Sequence, residues 1–215
     1  MKGPWIWIAA SALVVLLAVS LGFVLMAAGR SEPLQTMQID DLPVLGRADA
    51  AHEIVLVTDY GCPACKRFHA EMLPRLMARF VDGGQAKIRV LAFPIREGST
   101  ELAHAVTCLQ ERPGVDTKAL YDRVYGQDLV GLAAPELARR LIPDAAPADG
   151  FGAAQLSACM QRPDIAQRVE RQRYRAIVHG ISSVPTVVVD RVLMPEPWTF
   201  GRYEAALNAP KTEAR

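Results

Sequence analysis

Apolar positions along this chain follow two different periods. The stretch Glu53-Ile54-Val55-Leu56-Val57-Thr58 is a short, β-branched run and predicts a buried strand. From Cys65 onward the spacing lengthens. Cys65, Phe68, Met72, Leu76 and Phe80 recur every three or four residues, which puts one apolar stripe along a helix reaching about Phe80. Asp82-Gly83-Gly84 reads as a turn, and Ile88–Phe93 as a second strand stopped at Pro94. From Ser99 to about His179 the pattern is helical with short breaks. One helix covers about Glu101–Glu111 and is stopped by Pro113-Gly114. A second covers about Thr117–Tyr125, and Pro135 begins a third. A polar loop spans Pro143–Gly150. Pro163 opens a long helix that ends near His179 with Gly180 as its cap. Arg168, Glu170 and Arg171 read as its solvated face. Pro185 then leads into Thr186-Val187-Val188-Val189, a strand; Asp190-Arg191 turns into Val192-Leu193; Phe200–Leu207 reads as a last helix. The order is strand, helix, strand, helical block, strand, strand, helix.

The amino-terminal part has a different character. Trp5–Ala28 carries no charge. As a helix it reaches about 36 Å, against a bilayer hydrocarbon core of about 30 Å. A secretory signal has a shorter apolar region, so an uncleaved membrane anchor is the expectation, with cleavage near Ala27-Ala28-Gly29 as the alternative. Lys2 favours an amino terminus inside the cell, a bias weakened by Arg30. Ser31–Ala48 lacks a clear period and reads as a tether that joins the domain near Leu42-Pro43-Val44. What remains of the 215 residues is one domain's worth. A net charge of +1 gives no reason to expect a nucleic-acid partner. Four cysteines behind an export signal suggest two disulfides in an oxidising compartment.

The candidate chemistry sits in Asp59-Tyr60-Gly61-Cys62-Pro63-Ala64-Cys65, between the first strand and the first helix. Residues three apart share a helix face, so the two sulfurs can bond within the first turn. Pro63 suits the first helical position. Cys62 then lies at the positive end of the helix dipole, against unpaired N–H groups, which favours a thiolate. Cys65 falls on the buried stripe and is the shielded thiol. A zinc site competes with this reading, but tetrahedral zinc takes four N/S ligands and Cys108 and Cys159 form no second pair of this spacing. A c-type haem is excluded by Lys66, where such a motif has His. A purely structural disulfide is the remaining competitor. His69, four residues after Cys65, reads as a partly covered surface histidine or as a neighbour of the site, and His104 as a helix-face residue.

These residues resemble the DsbA-like branch of the thioredoxin superfamily, from about Asp49 to Leu207. The likeness rests on Asp59–Cys65, on Phe93-Pro94, on Ala105-Val106-Thr107-Cys108, on Leu156–Met160 and on Gly180-Ile181-Ser182-Ser183-Val184-Pro185-Thr186. The element order, with the cysteine pair opening the first helix, and the resemblance agree on an α/β thioredoxin-like fold split by a helical insertion, and the uncharged stretch puts one transmembrane helix before it. The divisions are anchor 1–30, linker 31–48, fold 49–98, insertion 99–179, fold 180–209 and tail 210–215. The resemblance also implies that Cys62, Cys65 and a cis Pro185 are catalytic, and that Tyr60, Pro63, Ala64 and Val184 meet the substrate. From the sequence alone a trans proline opening an edge strand competes with the cis form. Cys108 and Cys159, on the first and fourth helices of the insertion, resemble a second cysteine pair found in part of the family. They read as a structural bridge worth about 2–4 kcal/mol, with a second redox relay as the alternative.

The function implied is an extracytoplasmic thiol:disulfide oxidoreductase, in the first instance an oxidase forming disulfides in exported proteins. No cofactor or metal is expected. The partners would be thiol-bearing exported clients and a DsbB-like or VKOR-like membrane reoxidant. Two alternatives stand beside it: a reductant for a dedicated client, and a redox-inert client-binding protein. Two departures from the family matter. Leu56 occupies the position where many members carry a buried carboxylate, leaving water or Asp59 to carry the proton for Cys65. Ala64 stands where strongly oxidising members have His, so a less oxidising potential is expected.

Overall fold

Strands β2 (His52–Thr58) and β3 (Ala86–Ala92) pair in parallel, from His52 opposite Ala86 to Thr58 opposite Ala92. Strand β4 (Thr186–Val189) runs antiparallel along the other side of β2, and β5 (Val192–Leu193) returns beside β4. Asp190 and Arg191 make that hairpin turn with φ of 46° and 69°, the left-handed geometry that a two-residue turn between twisted strands requires. A two-residue strand, β1 (Val44–Leu45), closes the opposite edge against β3. The sheet order is β1-β3-β2-β4-β5. The computed structural model describes residue 16, residues 32–143, residue 145 and residues 150–210. Apart from Leu16, the expected span over Trp5–Ala28 lies outside these, as do residues 211–215 of the tail. Among the described residues no helix is long and apolar enough to cross a membrane.

Both faces of the sheet are covered. Ile54 and Leu56 point with Ile88, Val90, Val187 and Val189 into the larger core. Val55 and Val57 point the other way, with Leu91 and Val188, into a second layer closed by Met37, Ile39, Leu42, Ala176 and Ile181. A strand buried on both faces has no polar side to display, which is why β2 reads as an unbroken apolar run.

Helix α1 (Pro63–Glu71) leaves β2, followed by the short α2 (Leu73–Leu76) and a π turn, Met77–Val81. The insertion contains α3 (Ser99–Gln110), α4 (Thr117–Tyr125), α5 (Ala134–Leu141), α6 (Ala153–Met160) and α7 (Pro163–Val178). Helix α8 (Phe200–Asn208) ends the fold. At the end of α7, Gly180 has φ of 76°, its N–H bonds to Ile177 O, and the Ile181 N–H bonds to Ala176 O. This is a left-handed glycine closure that satisfies the last carbonyls.

The structure departs from the sequence reading in two places. The segment expected to be a tether is part of the folded unit: Met37, Ile39 and Leu42 are buried beneath the sheet, and Val44–Leu45 is an edge strand. The single helix expected up to Phe80 is broken after Glu71, because Pro74 has no N–H to return to the preceding turn. In the π turn that follows, the Asp82 N–H reaches back to Met77 O, and Phe68, Met72, Leu76 and Phe80 all remain buried. Cys159 lies on α6, the fourth helix of the insertion, which buries only Leu156 completely.

Candidate active site at the start of helix α1

The site is built from the end of β2. The Asp59 carboxylate is buried and accepts three backbone bonds. Oδ1 takes the Gly61 N–H at 2.8 Å; Oδ2 takes the N–H groups of Ile95 and Arg96 at 2.9 and 3.0 Å. It thereby ties the loop before α1 to the loop after β3. Charged acceptors of backbone N–H groups make strong bonds, and with all three in place this carboxylate serves as a brace. Gly61 lies under it with no space for a side chain. A Cβ there would come within 2.5 Å of Val130 and 2.7 Å of the Ser99 hydroxyl.

The braced loop delivers Cys62 to the mouth of the helix. Its backbone is extended (φ −78°, ψ 125°), its N–H bonds to Asp59 O at 3.0 Å, and its carbonyl takes the first helical bond from Lys66 N at 3.0 Å. It is the N-cap residue, with Pro63 next inside. Its side chain caps no N–H group, so the sulfur is left for other partners. That sulfur is half-buried and lies 4.0 Å from the carbonyl oxygen of Val184. The Val184–Pro185 peptide bond is cis. Pro185 is buried, Val184 and Ala64 are half-buried, and Pro63 is exposed.

Cys65 lies beneath, 2% exposed. Burial pushes its thiol up to about 12; the Thr58 hydroxyl and the Asp59 N–H act against that rise but are outweighed. Both thiols of the pair are free. Four rings surround this floor. Tyr60 packs 6.1 Å from Tyr121 and 5.8 Å from Tyr125, and His69 stacks on Tyr125 at 4.6 Å. The Thr58 and Tyr125 hydroxyls are hydrogen-bonded at 2.6 Å.

Tyr60, expected to meet the substrate, is only 3% exposed. It supports the loop from below. His69 is partly covered: Nε2 lies 3.3 Å from Asp122 Oδ1, and burial lowers its pKa. Leu56 is in the core, so no carboxylate occupies that position. Thr58 and Tyr125 had not been singled out. Thr58 is just the polar end of an apolar strand, and Tyr125 belongs to the insertion, so nothing local in the sequence links them.

Cys108 and Cys159 are bonded to each other, with a Cα–Cα distance of 6.0 Å across 51 residues. Cys108 is buried, and an Arg162 nitrogen lies 3.9 Å from the Cys159 sulfur. Counting four cysteines had suggested two bridges; the structure holds one bridge and one dithiol. Among the described residues no cluster of three His, Cys, Asp or Glu is arranged to hold a metal ion.

The model of a family described as thioredoxin matches residues 39–209. The chain belongs to the thioredoxin family. Within that superfamily its likeness is to DsbA-like thiol:disulfide oxidoreductases. It is 24% identical over 150 residues to the probable disulfide bond formation protein D of Bacillus anthracis, a match covering 68% of each chain. Among solved structures it resembles oxidised BdbD from Bacillus subtilis (TM-score 0.69, 21% identity, 79% of this chain and 92% of that one). It resembles Chlamydia trachomatis DsbA similarly (TM-score 0.68, 21% identity, 83% and 94%). At these identities the structural likenesses speak for the thioredoxin-like fold.

Proposed function

We propose that this protein forms disulfides in exported proteins by thiol–disulfide exchange at Cys62–Cys65. The observation that carries the proposal is the asymmetry of the pair: one sulfur at the helix mouth beside Val184 O, the other sealed beneath it. A client thiolate attacks the Cys62 sulfur of the oxidised pair, and Cys65 leaves. A second client thiolate then attacks the client sulfur of the mixed disulfide, so that the client disulfide forms, Cys62 leaves as a thiolate and the reduced pair stays on the enzyme. The backbone groups of Val184 dock the client as an extended strand, which needs no particular sequence. Pro63 and Ala64 border the same opening. Cys108–Cys159 acts as a structural bridge.

The curated relative is called a disulfide bond formation protein, which supports this direction. The enzyme works on the outer side of the cytoplasmic membrane, held there by Trp5–Ala28 as an anchor, or free after cleavage of that segment. A quinone-linked DsbB-like or VKOR-like membrane protein reoxidises the dithiol. Fully oxidised protein is expected to oxidise a reduced peptide, and Cys62→Ser to abolish that reaction. Oxidation at the normal rate by Cys62→Ser would sink the proposal.

One observation favours a second reading, a reductant for a dedicated client. Ala64 supplies no positive charge to hold a thiolate at Cys62, so the reduced form gains less stabilisation. Equilibration with glutathione separates the two: a potential near that of DsbA, about −120 mV, fits an oxidant, and one near that of thioredoxin, about −270 mV, fits a reductant.

A further inference from the structure

The exchange just proposed leaves a negative sulfur in a poor place. When Cys65 departs from the disulfide it carries the electron pair of the broken bond, in a site that is 2% exposed. Burial disfavours such an anion unless a donor faces it. The carboxylate position used by relatives holds Leu56, and Asp59 is committed to three backbone N–H groups. Thr58 remains. It ends β2, is 1% exposed, and its hydroxyl is bonded at 2.6 Å to the hydroxyl of Tyr125, which α4 of the insertion contributes. A threonine hydroxyl has one proton and can accept further bonds. When Tyr125 donates to Thr58, the Thr58 proton is left to point elsewhere, and the sulfur of Cys65 is the neighbour that needs it.

We propose that the Thr58 hydroxyl, oriented by Tyr125, donates a hydrogen bond to the Cys65 sulfur as that sulfur leaves the disulfide. Thr58 is the catalytic group and Tyr125 a positioning residue. The inference rests on exchange at Cys62–Cys65. In the step, the client thiolate forms a bond to the Cys62 sulfur, the Cys62–Cys65 bond breaks, and both electrons stay on Cys65. Cys65 then takes a proton from water, replacing the one the client thiol released to water. No net proton, oxidant or reductant is consumed. The same donor assists the reverse step, in which Cys65 attacks a mixed disulfide as a thiolate. The insertion thus reaches into the chemistry through one hydroxyl.

The test measures the rate at which oxidised protein accepts a reduced peptide thiol. Thr58→Val is expected to slow it about tenfold, the loss appropriate to a hydrogen bond made to a charged group. Thr58→Ser is expected to retain most of the rate, and Tyr125→Phe to fall between. The double variant Thr58→Val/Tyr125→Phe leaves neither hydroxyl orphaned, so it guards against a simple folding defect; the same tenfold loss is expected. A second reaction separates chemistry from architecture. In a Cys65→Ala background, glutathione linked to Cys62 is displaced by the peptide without any Cys65 leaving group. There Thr58→Val is expected to change nothing. An unchanged rate in the oxidised Thr58→Val protein, or an equal loss in both reactions, overturns the inference. If the peptide reacts with neither form of the wild-type pair, the role of Cys62–Cys65 itself is what has failed.

Discussion

At the scale of single residues, two identical thiols three positions apart are made different by where the backbone leaves them. Cys62 stops at the N-cap, outside the helix, and Cys65 turns inward on the buried stripe. The raised pKa of Cys65, about 12, means that the folded dithiol holds this proton more tightly than the unfolded chain does. The resulting stabilisation is complete below the unfolded thiol value, about 8.5, and is lost as the pH climbs toward 12. Thermal unfolding of the reduced protein should therefore shift to lower temperature above about pH 9 more steeply than that of reduced Cys65→Ala. Buried Tyr60 and Tyr121, whose pKa values burial also raises, are common to both proteins and cancel in the comparison, whereas Tyr125, which burial raises and the Cys65 charge raises further, adds to the difference in the same direction. Parallel curves would contradict the buried setting of Cys65. A second prediction concerns Gly61. Ala at this position meets Val130 and Ser99 and must push the loop away from the Asp59 brace; overpacking of this kind costs about 1–3 kcal/mol. Urea unfolding of Gly61→Ala should show that loss, together with slower exchange at Cys62. At this scale the cysteine pair and Pro63 were legible from spacing alone. The brace was not, because Asp59 reaches Ile95 and Arg96 across more than thirty intervening residues, and no local pattern records such a partner.

At the scale of elements, the first turn of α1 is the tuning device. A positive side chain beside the N-cap sulfur stabilises its thiolate and hence the reduced pair. Ala64→His should make the potential more oxidising, measured as a shifted equilibrium with glutathione; a shift in the reducing direction would contradict the dipole argument. The clamp between α3 and α6 is separable from this chemistry. Removing both Cys108 and Cys159 by substitution with Ala should lower stability by about 2–4 kcal/mol in urea unfolding, the usual worth of such a loop closure. Exchange at Cys62 in the folded protein should continue. Loss of exchange without loss of stability would favour the relay reading. Strongly periodic elements, such as α4 and the β2 run, were readable. Helix α6 was not, since Ala-Ala-Gln-Leu-Ser-Ala-Cys-Met offers a single fully buried anchor, Leu156, and no stripe. Strand β1 was not either, because two residues carry no period. The cis Glu196–Pro197 bond likewise had no sequence signal to distinguish it from an ordinary loop proline.

At the scale of the whole molecule, the sheet holds the two halves of the site in register. β2 carries the cysteine loop at its end, and β4 begins just after Pro185. Their antiparallel pairing, with Val57 opposite Thr186, sets Val184 O beside the Cys62 sulfur. The succession of β2, β3, β4 and β5 along the chain was readable because each is a short apolar run bounded by turn residues. The second covering layer was underestimated. Met37, Ile39 and Leu42 are too sparse to show a period, yet they close the far face of the sheet with Ala176 and Ile181. The account as a whole depends on Cys62 being the sulfur that meets the outside. The direct measurement is to incubate Cys65→Ala protein with oxidised glutathione and map the adduct by peptide mass spectrometry. Glutathione on Cys62, with Cys108–Cys159 still bonded, is the predicted result. An unmodified Cys62, or glutathione on Cys108 or Cys159 instead, would contradict it.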